Sequence, residues 1–329
     1  MYEGPFNEMP SDHIRRFISA YESGTFNNVP CMEKDYDHVI IAGMGGSGII
    51  GSAVADITRN LSGTPVDVLR ANRLPAYASN GALILVVSYS GNTREMIDLY
   101  RDCIIKGCSV IAVTSGGRLA DMAEADGNPL IRIRGGFTPR SDIGIVIGYV
   151  ASIIDKNCGT SFMKGYVDAM SSAISYSDAL ADTCNPENEA MRIAHLLTSR
   201  IPFIYSMDGM SCVANRWKCQ INENAKIPAA CGTFPEFNHN SLEGWCGNVS
   251  NIPIPIFIGP HDMFVDSAAS IMEESGNPMV FIDIPGDSEV DRLVNGIILG
   301  DYVSLYLADL MKRDASPVPA ITEFKRRTS

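Results

Sequence analysis

The sequence predicts an α/β protein made of two doubly wound parallel sheets, and three observations carry that prediction. Apolar runs of strand length alternate with longer helix-like stretches from about residue 31 to residue 157, the rhythm that a parallel sheet with crossover helices requires. Two of these runs, His38-Val39-Ile40-Ile41-Ala42 and Ala82-Leu83-Ile84-Leu85-Val86-Val87, are continuous rather than alternating, as strands buried on both faces are. The same rhythm restarts near residue 201 and continues to about residue 313, which reads as a structural duplication.

In the first half, the strand over 38–42 leads to a helix over Ile49–Leu61. Strands follow over Val66–Arg70 and Ala82–Val87, then a helix over Thr93–Lys106, a strand over Ser109–Val113 and a short helix around Leu119–Ala125. A strand over Leu130–Ile133 and an apolar helix over 143–156 close the unit. The segment from about Gly159 to Asn188 reads as a polar-faced helical connector. In the second half, strands are expected over Ile201–Ser206, Ile254–Ile258 and Met279–Ile284. Helices are expected over Ser211–Ala225, Ser267–Glu274 and from Glu289 to about Arg313. The expected organisation is a first domain over 1–158, the connector over 159–188 and a second domain over 189–329.

Composition narrows the function. The 329 residues are 46% hydrophobic and 19% charged, with a formal net charge of −12, which argues against a nucleic-acid or membrane-surface partner. Lys325-Arg326-Arg327 is too short a basic run to change that. The nine cysteines contain no C-x-x-C pair, and the closest two are Cys103 and Cys108. They read as reduced thiols, and no cluster has metal-ligand spacing. Neither a basic n-region nor an apolar h-region is visible at the start, and the longest apolar run, Ile143–Ile154, is too short for a bilayer. A soluble, cytoplasmic protein that needs no metal or cofactor is expected.

The chemistry starts in two loops, Gly43-Met44-Gly45-Gly46-Ser47-Gly48 and Ser88-Tyr89-Ser90-Gly91-Asn92-Thr93. Each carries the chain from an apolar strand into a helix N-terminus, where backbone N–H groups and the positive end of the dipole favour an anion. Hydroxyls add neutral donors, so a phosphate can be held without a lysine. Gly46, Ser47, Ser88, Ser90 and Thr93 are the expected phosphate ligands. Ordinary helix capping would favour the same residue types. The first loop is not a dinucleotide fingerprint, because Asp67 lies within the next strand and not at its end.

With these loops placed, the chain resembles the sugar isomerase (SIS) fold and, more narrowly, the bifunctional phosphoglucose/phosphomannose isomerase family. The markers are G-M-G-G-S-G (43–48), S-Y-S-G-N-T-R-E (88–95), T-S-G-G-R-L-A (114–120), T-P-R (138–140), N-E-N-A-K (222–226), F-N-H-N (237–240), L-G-D-Y-V-S-L-Y-L (299–307) and I-T-E-F-K (321–325). S-x-S-G-x-T alone identifies only an SIS domain, whereas N-E-N-A-K together with N-H-N is much more specific.

The resemblance implies an isomerase of glucose 6-phosphate and fructose 6-phosphate, extending to mannose 6-phosphate, with its site in the cleft between the halves. It implies Glu223 as the base that moves a proton between C2 and C1, although its spacing alone fits a surface carboxylate paired with Lys226. By the same resemblance, His239 opens the sugar ring from the neighbouring subunit of a homodimer, where an exposed loop histidine is the ordinary alternative. Arg140 is implied to stabilise the enediolate, and a cation at a helix start is unfavourable enough to fit a functional role. Lys325 is implied to fold over the substrate, although a lysine so placed is usually a solvated charge. His13, His38, His195 and His261 have no comparable context and read as structural.

Two departures weaken the mannose half. Asp314-Ala315-Ser316-Pro317-Val318 stands where the family carries D-P-T-P-V, so Ser316 must supply the threonine hydroxyl, and Phe257–Phe264 contains no arginine. The alternatives are a non-catalytic sugar-phosphate sensor and another SIS ketol isomerase.

Overall fold

Continuous Val/Ile/Leu runs form the first sheet because both of its faces are covered. The computed structural model describes residues 9–32, 35–136, 140–247 and 249–328, so Arg140 is the only residue of the T-P-R marker among them. The chain divides into two compact units. One comprises His13–Asp168 with residues 323–328, and the other comprises Ala169–Thr322 with residues 9–12.

In chain order the first elements are α1 (Pro10–Glu22), β1 (His38–Gly43), α2 (Gly46–Thr58), β2 (Val66–Leu69), β3 (Ala82–Val87) and α3 (Arg94–Ile105). They continue with β4 (Ser109–Thr114), α4 (Gly117–Ala125), β5 (Leu130–Arg132), α5 (Ile143–Cys158) and α6 (Phe162–Ala181). The strands pair in parallel in the order β2-β1-β3-β4-β5. Residues alternate between the faces of the sheet. Ile40, Ala42, Ile84 and Val86 pack with Met96, Leu99 and Tyr100 of α3, while Ile41 lies against α2 at Gly51. Helices α2 and α3 therefore lie on opposite faces of the sheet.

The second sheet follows α7 (Glu189–Leu197) and is built from β6 (Ile201–Met207), β7 (Ala230–Phe234), β8 (Pro253–Ile258) and β9 (Val280–Ile282). It is parallel throughout, in the order β7-β6-β8-β9. Its helices are α8 (Ser211–Gln220), α9 (Ser241–Trp245), α10 (Met263–Glu274) and α11 (Glu289–Leu310), and α12 (Pro319–Thr328) ends the chain.

Helix α11 is 22 residues long and apolar enough to cross a membrane, yet 83% of its most apolar window is buried, as in a core helix. Trp217 of α8 is fully buried, and its Nε1 donates to the Gly296 carbonyl at 2.7 Å. A Cβ at Gly300 would lie 2.3 Å from the Trp217 ring, so only glycine allows the two helices to approach this closely. Beside it, Arg216 makes two bonds to Asp301, at 3.0 and 2.7 Å, and Gln220 donates to the same carboxylate at 2.9 Å. Removing one partner of a buried pair like this costs about 3–5 kcal/mol, because the other charge is left uncompensated.

The sequence expectations differ from the structure at several places. Helix α2 starts at Gly46, inside the glycine-rich loop, rather than at Ile49. The helix expected over 211–225 is α only to Gln220 and continues as a π turn over Ile221–Ala225. The last long helix stops at Leu310. The connector expected over 159–188 contains α6, and the boundary between the compact units falls inside that helix. Helices α1 and α7, though clearly amphipathic, and strand β7 lie outside the sequence expectations.

Candidate active site

The order β2-β1-β3-β4-β5 reverses direction between β1 and β3, and ligands of open α/β sheets bind beyond the strand ends at such a switch point. The two hydroxyl-bearing loops leave β1 and β3, which are adjacent strands. Gly43 is registered against Val87, so the loops leave the sheet side by side at the same level. Ser47 from one and Tyr89 from the other line a narrow recess with Ile50, Val87, Ile133 and Val146.

Ser47 and Ser88 are buried, Thr93 and Gly46 half-buried, and Ser90 exposed. The Ser88 hydroxyl donates to Thr93 Oγ1 at 3.3 Å, and the Asn92 N–H donates to Ser90 Oγ at 3.3 Å. The N-caps of α2 and α3 are Gly45 and Thr93, and neither makes a side-chain capping bond. The first-turn amides instead use backbone acceptors where they are bonded: Ser47 and Gly48 N–H donate to the Met44 carbonyl and Met96 N–H to the Thr93 carbonyl.

A third loop, Thr114–Gly117 after β4, braces the second. The Ser115 N–H and hydroxyl both donate to the Tyr89 carbonyl, at 3.0 and 2.7 Å. The Arg118 N–H donates to Asn92 Oδ1 at 3.0 Å, and the Leu119 N–H to the Gly91 carbonyl at 2.9 Å. At Gly91, φ is +65° and a Cβ would fall 1.7 Å from the Gly116 oxygen, so glycine is required twice over. Sequence reasoning had T-S-G-G only as a family marker, whereas here it is the strut of the neighbouring loop.

Arg140 stands in a turn, half-buried, ahead of α5. The expectation that it opens the helix needs correction. The N-cap is Asp142, so the arginine lies outside the first turn and a carboxylate stands at the helix start. The unfavourable dipole argument for Arg140 therefore loses its force. Asp142 is itself engaged by Arg16 at 3.6 Å.

In the second unit, Glu223 is half-buried in the π turn that prolongs α8. Such widened turns are frequent at functional sites. Buried Asn224 fixes the turn by donating to Ser304 Oγ of α11 at 2.9 Å, and Asn222 Oδ1 accepts from the Ala229 N–H at 2.8 Å. Lys226 ends the turn in the left-handed conformation, and its ammonium reaches the Glu223 carbonyl and, at 2.7 Å, the Pro317 carbonyl. Ser316, next to Pro317, is exposed, and its N–H bonds Asp314 Oδ1 at 2.9 Å.

His239 is exposed at the end of a 3₁₀ turn, Glu236–His239. Phe237 anchors this turn by stacking on Phe234 with centroids 4.4 Å apart. Asn240 then caps α9. Lys325 lies on α12, which has no buried residue. Of the histidines read as structural, His261 pairs with Asp266 at 2.7 Å and His38 packs on Tyr77. The phosphate-ligand candidates thus gather on neighbouring loops of one sheet, and Glu223 is joined to the Ser316 segment through Lys226.

Residues 186–328 match the family described as the bacterial phospho-glucose isomerase C-terminal SIS domain. Over 99% of its length the chain is 33% identical to the bifunctional phosphoglucose/phosphomannose isomerase of Caldicellulosiruptor bescii, covering 98% of that protein. This chain belongs to the bifunctional phosphoglucose/phosphomannose isomerase family. A namesake from Thermoplasma acidophilum is also 33% identical, over 95% of this chain and 94% of the relative. The D-glucosamine-6-phosphate 4-epimerase of Sulfolobus acidocaldarius is 27% identical over 97% of both chains. Among solved structures, a putative phosphosugar isomerase from Clostridium difficile shares the fold with a TM-score of 0.72 at 16% identity, over 97% of this chain and 96% of that one.

In this isomerase-family chain, sequence reasoning missed how two residues shape the site. Asn224 and Lys226 sit in the N-E-N-A-K marker, but their partners, Ser304 and Pro317, lie roughly 80–90 positions later in the sequence. Only the folded chain reveals those contacts.

Proposed function

We propose that this chain is an aldose–ketose isomerase that interconverts glucose 6-phosphate and fructose 6-phosphate, and acts on mannose 6-phosphate as well. Membership of the bifunctional isomerase family over nearly the full chain carries this reading. The paired hydroxyl loops at the β1/β3 switch point support it, because they suit a single phosphate.

In this reading Ser47, Ser88, Ser90, Thr93 and the Gly46 amide hold the phosphate. Glu223 takes the C2 proton of the open-chain aldose and returns it at C1, passing through a cis-enediol. Both aldoses share that enediol after rotation about C2–C3, so one base serves both. Arg140 offsets the charge on the enediolate oxygens. His239 and Lys325 exchange protons in ring opening, a task suited to an imidazole near neutral pH. Ser316 bears on the choice between aldoses. The enzyme works in the cytoplasm as a homodimer, with His239 donated across the interface, and requires no metal.

A coupled assay on each aldose phosphate in the presence of EDTA tests the reaction. Glu223→Gln should lower kcat by on the order of 10³-fold, within the usual range for general acid–base catalysis, while substrate still binds. Wild-type turnover in that variant removes Glu223 from the role. Mixing inactive Glu223→Gln and His239→Ala subunits should restore activity if the histidine crosses between them. The 4-epimerase among the relatives supports a second reading, and product formation from D-glucosamine 6-phosphate, without activity on glucose 6-phosphate, would select it.

A further inference from the structure

We propose that Lys226 is a positioning residue that clamps the turn carrying Glu223 to the segment carrying Ser316, setting the reach of the base and the choice between aldoses. The proposal rests on the reading of Glu223 as the base.

The geometry is specific. The ammonium of Lys226 donates to two main-chain carbonyls, those of Glu223 and Pro317, the latter at 2.7 Å. Bonds from a charged donor are stronger than neutral ones. On its inner side the π turn is already fixed by the buried bond from Asn224 to Ser304. Lys226 adds an outer tie, so the main chain of Glu223 is held from both directions. The partner segment is pinned in the same way. Ala315 is buried, with 1% of its surface exposed, and Pro317 is held by the lysine, so Ser316 stands between two fixed neighbours.

The backbone at Lys226 makes glycine a sharp probe of its side chain. Its φ of 59° and ψ of 34° lie in the left-handed region, which glycine adopts freely and residues with a Cβ do not. Ser199 and Lys312 share this backbone, so at Lys226 it is the reach of the side chain to Pro317, not the strain, that carries the role.

That strain makes a clean test possible. Lys226→Gly removes the clamp while easing the backbone, so its melting temperature should not fall. Its kcat should drop by about tenfold to hundredfold, the scale of a slightly misplaced catalytic group, with KM for each aldose phosphate essentially unchanged. The loss should differ between glucose 6-phosphate and mannose 6-phosphate. Lys226→Asn, which also tolerates the left-handed backbone but is too short to reach Pro317, should behave like the glycine variant. Lys226→Arg should recover most of the rate.

Wild-type kcat in Lys226→Gly or Lys226→Asn, or an arginine variant as impaired as the glycine one, would overturn the clamp. Equal losses on the two aldoses would overturn its link to Ser316. The parallel Glu223→Gln measurement separates the two readings. An active Glu223→Gln rejects the base, and an inactive Glu223→Gln beside a fully active Lys226→Gly rejects the clamp alone.

Discussion

Helices begin differently in the two compact units. In the second, Asn188 caps α7, Asp262 caps α10, and Ser288 with Asp291 forms a reciprocal capping box on α11, while α8 starts at Met210 without a side-chain cap. In the first, the N-caps of α2, α3, α4 and α5 are Gly45, Thr93, Gly116 and Asp142, and none makes a side-chain capping bond, whereas the Asp155 carboxylate accepts from the first amides of α6. A cap contributes about 1 kcal/mol by satisfying otherwise orphaned amides. In α2 and α3 no side chain takes the first amides, although Ser47, Gly48 and Met96 N–H donate to backbone carbonyls, and both helices start where the strand order reverses. The first unit gives up local stability at the places where an anion can supply the missing acceptors.

The most severe way to break this contrast is Gly91→Ala. The new methyl would overlap the Gly116 carbonyl at a left-handed backbone, so a loss of roughly 3 kcal/mol or more is expected, together with the loss of sugar-phosphate saturation. Urea unfolding with an unchanged midpoint would contradict it. Thr93→Asp sharpens the contrast by installing a better cap that is also an anion. KM for sugar phosphates should rise by on the order of 100-fold through like-charge repulsion, while the melting temperature holds or rises. An unchanged KM would show that the phosphate lies elsewhere.

Ser288→Ala does the reverse in the second unit. Denaturation should report about 1 kcal/mol of lost stability, with KM unmoved. The smallest effect concerns the exposed helix α12. Arg326 and Arg327 hydrogen-bond the Glu323 carboxyl and lower its pKa from 4.5 to about 2. A lowered folded-state pKa stabilises the helix above 4.5, and that contribution disappears as pH falls towards about 2. Backbone NMR shifts of residues 319–328 should follow that acid limb, and shifts constant through it would refute the assignment.

Much of the first unit was legible because its strands are unbroken apolar runs with small-residue loops at their ends. The start of α2 was misplaced because Gly46 and Gly48 oppose helix by propensity, yet their loop is helical from its fourth residue. Strand β7, Ala-Cys-Gly-Thr-Phe, was invisible because it is a short edge strand with a central glycine. The π turn was equally hidden, since a bond from Asn224 to a distant helix helps hold it. At the site, chemistry alone pointed to Ser47, Ser88, Ser90 and Thr93. Glu223 and His239 became visible only through family resemblance, because a carboxylate and an exposed imidazole on irregular turns look ordinary in isolation. The spacing of Glu223 and Lys226 predicted a side-chain pair and could not foresee an ammonium on two carbonyls.

The contact between Trp217 and α11 also bears on how the molecule is made. The Gly296 carbonyl that receives the indole lies 79 positions beyond it in the chain. At ribosomal rates of roughly 5–20 residues per second, the tryptophan emerges about 4–16 seconds before its cover exists. Throughout that interval α8 presents a bare aromatic ring and half of an ion pair. The second unit can therefore close only once α11 has been made, and a ribosome that stalls before α11 leaves a nascent chain suited to chaperone capture.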